Sequence, residues 1–344
     1  MSSQSSSINH QSSAASVKAT RLPAPVRITE QVWPEGTVPV VSIFCWTYNH
    51  SKFIEKSISS MLEQKTRFPV EIIIHDDAST DGTIQIIKRF ETSSPQIFQN
   101  ILQKKNQFSI GKSVMDPLLF SCTGKYIALN HGDDYWTDPE KLQIQVDFLE
   151  KNAHFSCCFH RTKLVDENSA TIQQDYFSPV GSEFDFRDCL VKLKKKYATC
   201  SMVFRREALG HPKLWFLKSP TDMFLELQLA LNGKFQFIDR NMGAYRKHGG
   251  GVWMGIHLAQ RNLELLYRYQ LLLDDPEIRE SYGDEISHMI KKLERGFCLK
   301  TECAEILCKQ SFFYRIAWFF DSGLQFLIRN LRNIKRSIFS FSKS

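Results

Sequence analysis

Gly132-Asp133-Asp134-Tyr135-Trp136-Thr137-Asp138-Pro139-Glu140-Lys141 follows the apolar run Tyr126-Ile127-Ala128-Leu129-Asn130. Two adjacent carboxylates therefore stand where a predicted strand gives way to a turn, a placement that can hold a divalent cation through oxygen ligands. A second acidic turn, His75-Asp76-Asp77-Ala78-Ser79-Thr80-Asp81-Gly82-Thr83, follows the apolar strand Val70-Glu71-Ile72-Ile73-Ile74 and leads into a helix bearing Ile84, Ile86, Ile87 and Phe90. Ligands of open α/β sheets bind beyond the carboxyl ends of the strands, so the two turns are candidates for one site.

Outward from these turns the pattern repeats. Val38-Pro39-Val40-Val41-Ser42-Ile43-Phe44-Cys45-Trp46 reads as a strand by its β-branched and aromatic content. The polar turn Thr47-Tyr48-Asn49-His50-Ser51 leads into a helix with Phe53, Ile54, Ile58, Met61 and Leu62 at helical spacing, for which Asn49 or Ser51 is the candidate N-cap. Further strands are expected at 97–102, 126–130, 155–160 and 200–205, with helices at 83–91, 113–122, from Pro139 onward, and at 222–231. Strands alternating with helices predict an α/β fold with a mostly parallel sheet covered on both faces.

The 344 residues, 42% hydrophobic and 24% charged, fit a globular chain long enough for a sizeable core. Nine cysteines, an odd number with no CxxC pair, argue against a zinc site. Cys45, Cys122, Cys157 and Cys158 lie in apolar runs where free thiols behave as small hydrophobes, which suits a reducing compartment. Residues 1–37 are Ser-rich, carry Pro23, Pro25 and Pro34 and lack apolar periodicity, so a disordered arm is expected, with a short ordered approach near Val32 and Trp33. With no secretory signal visible there, the expected location is cytoplasmic.

Residues 255–310 are helix-rich with a break at Asp274-Asp275-Pro276, which predicts a helical C-terminal appendage. Residues 311–344 place apolar side chains three and four apart, with six basic residues against Asp321 alone. Such a helix suits the surface of an anionic membrane better than a span across it. The remaining body is close to neutral, which speaks against nucleic acid as a partner.

Taken together, the strand ending in Thr47-Tyr48-Asn49, the Asp-Asp-Ala-Ser-Thr-Asp-Gly-Thr turn, the Gly-Asp-Asp-Tyr-Trp-Thr-Asp-Pro-Glu-Lys segment, Asp222 before a helix, and Tyr245-Arg246-Lys247-His248-Gly249-Gly250-Gly251 resemble the family 2 glycosyltransferases. The resemblance implies a GT-A domain over 38–254, a nucleotide-sugar donor with UDP-sugar as the default, and inverting transfer to a hydroxyl of a saccharide or lipid-linked acceptor. Carried over residue by residue, it puts Thr47, Asp76 and Asp77 at the nucleobase and ribose, with Asp133 also near the ribose. It puts Asp134 and His248 on Mg2+ or Mn2+, Arg246 and Lys247 near the diphosphate, Trp253 over the donor, and Asp222 as general base with Glu226 in reserve. Gly132 stands where many members carry a further acid, a departure from the strict Asp-x-Asp form.

Each residue also has a plainer reading. Asp76 and Asp77 suit a helix cap, Asp133 and Asp134 a solvated turn, and Thr221 or Asp222 the N-cap of an apolar helix. Tyr135 and Trp136 suit either a platform for a sugar ring or ordinary packing. A nucleotidyltransferase and a non-catalytic donor-binding scaffold at a membrane complex are the rival functions. Release of pyrophosphate, or binding without turnover, would mark them.

Overall fold

The computed structural model describes residues 21–110, 113–177, 179, 181–191, 197–250 and 258–298. The chain runs through β1 (Val26–Arg27), β2 (Val41–Thr47), α1 (Ile54–Leu62), β3 (Lys65–Thr66), β4 (Val70–Asp76), α2 (Thr83–Ser93), β5 (Phe98–Leu102), α3 (Asp116–Ser121), β6 (Tyr126–His131), β7 (Tyr135–Trp136) and α4 (Lys141–Lys151). It continues as β8 (Phe155–Val165), β9 (Thr171–Gln173), β10 (Glu183–Phe184), α5 (Phe186–Val191), β11 (Val203–Arg205), α6 (Leu214–Lys218), α7 (Asp222–Ala230), β12 (Lys234–Arg246), α8 (Leu258–Asp274) and α9 (Pro276–Cys298).

The main sheet has the order β10-β12-β8-β11-β6-β2-β4-β5. Strands β6, β2, β4 and β5 are mutually parallel, β12 lies parallel to β8, and the short β11 joins the two groups by pairing antiparallel with both β6 and β8. The mostly parallel sheet expected from the alternating pattern is thus observed. The long β12 is an addition: the polar run Asp239-Arg240-Asn241 hides it in the sequence, and its ladder with β8 shifts register around those residues.

Side-chain alternation divides the core between the two faces. Phe44 and Trp46 of β2, Ile73 of β4, and Ile127 and Leu129 of β6 join Phe224 and Leu227 of α7 and Tyr269 and Leu272 of α8. Val41, Ile43 and Cys45, with Ile72, Ile74, Tyr126 and Ala128, pack against Ile54 and Ile58 of α1, Ile87 of α2 and Leu142 and Val146 of α4. Most of these side chains are fully buried, and each is worth about 1.5–3 kcal/mol relative to exposure. The central strands are therefore rigid supports for the loops at their carboxyl ends.

Two local expectations are corrected. From Arg21 onward the expected arm is tied down: β1 pairs with β3, and Gln31 Nε2 donates to the Thr66 carbonyl at 2.7 Å. Neither Asn49 nor Ser51 caps α1, whose N-cap is Phe53 without a side-chain bond. Residues 1–20, Trp253 and the basic run 311–344 lie outside the described residues. Among the described residues, no helix is long and apolar enough to cross a membrane.

Candidate functional site

The strand order reverses at β2, which has β4 and β5 on one side and β6 on the other. A crevice opens at such a switch point beyond the strand ends, and here it is bordered by Thr47, Asp76 and the turn 131–134. Thr47 lies opposite Asp76 in the ladder, and its carbonyl accepts from the Asp77 N–H at 3.0 Å. On the other side Gly132 presses against it: a Cβ at 132 would come within 2.5 Å of Thr47 Oγ1 and 2.8 Å of His50 Nδ1. Glycine is required by this close approach, so the two acidic turns do adjoin one another.

Three successive backbone N–H groups of the first loop are bound by the second. Asn49 N–H donates to Ser79 Oγ, His50 N–H to Thr83 Oγ1 and Ser51 N–H to Asp81 Oδ2, at 2.8, 2.9 and 2.9 Å. Asn49 and Ala78 both take positive φ, 54° and 65°, a conformation that non-glycine residues adopt sparingly and that recurs at functional loops. Asp76 accepts from Ser79 N–H and Oγ–H, and Asp77 from the N–H groups of Gln107 and Phe108. The capping reading of Asp76 and Asp77 is corrected: the side chain at the start of α2 is Asp81, which accepts from Thr83 N–H and Oγ1–H.

Across the crevice, Asp133 Oδ2 lies 2.9 Å from His248 Nε2 and 3.7 Å from His50 Nε2. Ligand atoms of these three residues all fall within 4.8 Å of one another. One carboxylate and two imidazoles suit a divalent ion. His248 is thus paired with Asp133, not with Asp134. Asp134 is turned inward at 1% exposure, where Oδ1 accepts from the Arg246 N–H at 2.9 Å and Oδ2 lies 3.8 Å from His131 Nδ1. The expected division put Asp134 on the metal and Asp133 at the ribose; here Asp133 is the acid that lies beside the two imidazoles.

The electrostatics follow the same division. Burial alone would raise the Asp133 carboxyl, yet the His248 hydrogen bond and the nearby His50 and His131 imidazoles carry it well below the usual range. Burial first, and then the charge of Asp133, raise Asp134. The bond to Asp133 raises His248 against the opposing effect of burial, whereas burial lowers His50.

Arg246 does not present a free fork to a phosphate. Its guanidinium donates to the carbonyls of Asp133, Asp166 and Glu167 at 2.8, 2.8 and 2.9 Å, and it lies between the rings of Phe53 and Tyr135. Its place is that of a clamp holding the turn 131–134 against the turn at 166–169. Lys247 beside it is exposed. Tyr135 and Trp136 are packed, with Trp136 Nε1 donating to the Cys200 carbonyl at 2.8 Å, so the sugar-platform reading is replaced by packing.

Asp222 begins α7, but Thr221 supplies the cap by accepting from the Phe224 N–H. That leaves the Asp222 carboxylate to accept from Thr199 Oγ1 at 3.1 Å. Glu226 is directed at Tyr197 and Cys157, where, after burial, its charge helps to raise the Tyr197 phenol. Burial opposes the His131 imidazolium, but contact with Asp134 and the charges of Asp133, Asp134 and Asp222 raise it. Thr199 lies in the turn 199–201, which packs against β6, so Asp222 is tied to the strand that leads into the Asp133 turn. Sequence reasoning passes over His50, His131 and Thr199. His50, three residues beyond Thr47 in a strand-exit loop, is the one whose position offered a signal.

Residues 42–211 match the family model described as glycosyl transferase family 2. An uncharacterized protein of Mycobacterium tuberculosis is 33% identical over 221 residues, 64% of this chain and 62% of that protein; the chain thus spans less than two thirds of that relative. The putative teichuronic acid biosynthesis glycosyltransferase TuaG of Bacillus subtilis is 26% identical over 198 residues, 57% of this chain and 73% of TuaG. Among solved structures, S. aureus TarS in complex with UDP-GlcNAc aligns with a TM-score of 0.58 and 21% identity over 76% of each chain, which shows a shared fold.

Proposed function

The chain belongs to glycosyl transferase family 2 through residues 42–211, and from that premise we propose that it moves a sugar from a nucleotide-sugar, a UDP-sugar first, to an acceptor hydroxyl with inversion. The observation that carries the proposal is the cluster of Asp133, His50 and His248 just beyond β6, with Asp222 bound through Thr199 to the turn 199–201 that packs against the same strand. In this reading the donor diphosphate would lie at the Asp133 cluster, with Asp222 on the acceptor side. The acceptor O–H gives its proton to the Asp222 carboxylate as the new C–O bond forms and the bond to the diphosphate breaks. Asp133 and His248 would hold a divalent ion, which would supply positive charge to a leaving diphosphate. Thr199 holds the Asp222 carboxylate in place, and Arg246 holds the turn that carries Asp133.

The acceptor in this reading is a growing saccharide or lipid-linked glycan of surface polysaccharide assembly; the relative TuaG is named for teichuronic acid biosynthesis. The basic run 311–344 would bring the chain to the inner face of an anionic membrane, where such an acceptor lies. The test is release of nucleoside diphosphate from UDP-, GDP- and dTDP-sugars with Mn2+ or Mg2+, comparing the wild type with Asp133→Asn and Asp222→Asn. Metal-dependent release lost in both variants supports the proposal. Pyrophosphate release would assign a nucleotidyltransferase instead, and donor binding without turnover on any acceptor would assign a scaffold.

A further inference from the structure

A side chain at 132 and the imidazole at 50 would compete for the same space. Any side chain at 132 would run into His50 Nδ1 and Thr47 Oγ1, at 2.8 and 2.5 Å from its Cβ. With glycine there, the His50 ring fills the gap beside Asp133. Its orientation is fixed at both ends: the backbone N–H is held by Thr83 Oγ1 at 2.9 Å, and ring Nδ1 lies 3.3 Å from Thr47 Oγ1. A hydrogen bond at one ring nitrogen leaves the other as the ligand atom, and here the other, Nε2, is the one 3.7 Å from Asp133 Oδ2.

Three donors each about 2.1 Å from one ion lie at most about 4.2 Å apart. The ligand atoms of His50, Asp133 and His248 lie within 4.8 Å of one another, wider than that value by about 0.6 Å, so the three would draw together by that amount around an ion. We propose that His50 is a third protein ligand beside Asp133 and His248, and that it makes this centre select Mn2+ or Co2+ over Mg2+. The proposal rests on the reading of Asp133 and His248 as the cation site.

The chemistry favours this selection. Mg2+ prefers an all-oxygen octahedron and gives up its waters reluctantly. Imidazole suits the transition ions, and affinity rises from Mn2+ to Co2+ along the first row. A carboxylate in the place of His50 would supply a hard oxygen; His50 supplies a nitrogen and leaves the protein ligands with one negative charge in place of two.

The test is direct binding of metal alone to the full chain: Mn2+ by electron paramagnetic resonance, Co2+ by its visible ligand-field bands, and Mg2+ by competition. The variants are His50→Gln, His50→Asp, Asp133→Asn and His248→Asn, each first checked for an unchanged circular dichroism spectrum. The expected result is at least tenfold weaker Mn2+ binding and altered Co2+ bands in His50→Gln, with Mg2+ affinity changed less. His50→Asp, which supplies an oxygen, should shift the Mn2+ to Mg2+ preference toward Mg2+. If His50→Gln keeps wild-type Mn2+ affinity and Co2+ bands while Asp133→Asn and His248→Asn lose them, His50 is no ligand and the cation site stands. If Asp133→Asn and His248→Asn bind as the wild type does, the cation reading falls and the proposal with it.

Discussion

The Asp222 carboxylate accepts a hydrogen bond from Thr199 Oγ1 at 3.1 Å, while the neighbouring Thr221 takes over the capping of the helix that Asp222 begins. A carboxylate at a helix start usually serves the helix N–H groups; this one is released from that task and held by Thr199. Asp222→Asn should therefore lower kcat by about 10²–10⁴-fold with donor affinity within about threefold of wild type. Thr199→Val, which removes a positioning contact, should cost less than Asp222→Asn and leave stability nearly unchanged. Single-turnover rates and donor titrations on the same samples check both, and normal turnover in Asp222→Asn would remove the residue from the mechanism.

Gly132→Ala is expected to damage the crevice out of proportion to one methyl group. Its Cβ would sit 2.5 Å from Thr47 Oγ1 and 2.8 Å from His50 Nδ1, and both side chains are hydrogen-bonded in place. Displacing them should cost about 1–3 kcal/mol in urea unfolding and weaken divalent-ion binding. An alanine variant of wild-type stability would mean that the strand ends move apart easily.

The central strands were legible because β2, β4 and β6 are buried on both faces and read as unbroken apolar runs; the turn after each then follows from polarity alone. The acid pair was legible for the same reason, but the roles within it were not. Asp133 and Asp134 leave the chain in opposite directions, and only the partner strand β12, more than a hundred residues further on, decides which meets His248 and which meets the Arg246 N–H. His50 and Arg246 escaped for a related reason. What an imidazole or guanidinium does depends on contacts distant in sequence, such as Arg246 with Asp133 and Asp166.

Arg246→Lys separates a clamp from a phosphate ligand. A lysine cannot span the carbonyls of Asp133, Asp166 and Glu167 that the guanidinium joins, since an ammonium lacks the planar fork. The expected loss is about 2–3 kcal/mol of stability, with weaker cation binding because the Asp133 turn is no longer held. Were Arg246 instead a phosphate contact, the lysine variant would keep its stability and lose donor affinity alone; denaturant curves and donor titrations distinguish the two.

Lys141 gives a pH dependence whose direction is fixed by its surroundings. It is fully buried at the start of α4, its Nζ has no hydrogen-bond partner among the described residues, and it lies 4.1 Å from the centre of the Trp136 ring. Burial pushes its pKa down from 10.5 to about 7. Between those values the unfolded chain holds a proton that the folded chain has lost, so stability from this residue rises with pH across that window and is flat below it. Lys141→Met keeps the volume without the charge. It should stabilise the protein by about 2 kcal/mol at pH 6, where the wild type buries an ammonium that only the Trp136 ring compensates. By pH 9 the gain should shrink, because the wild-type lysine is then neutral when folded. Urea unfolding of both proteins at pH 6 and pH 9 measures the difference. A methionine variant less stable at pH 6 than the wild type would show that the buried ammonium supports the fold through the Trp136 ring.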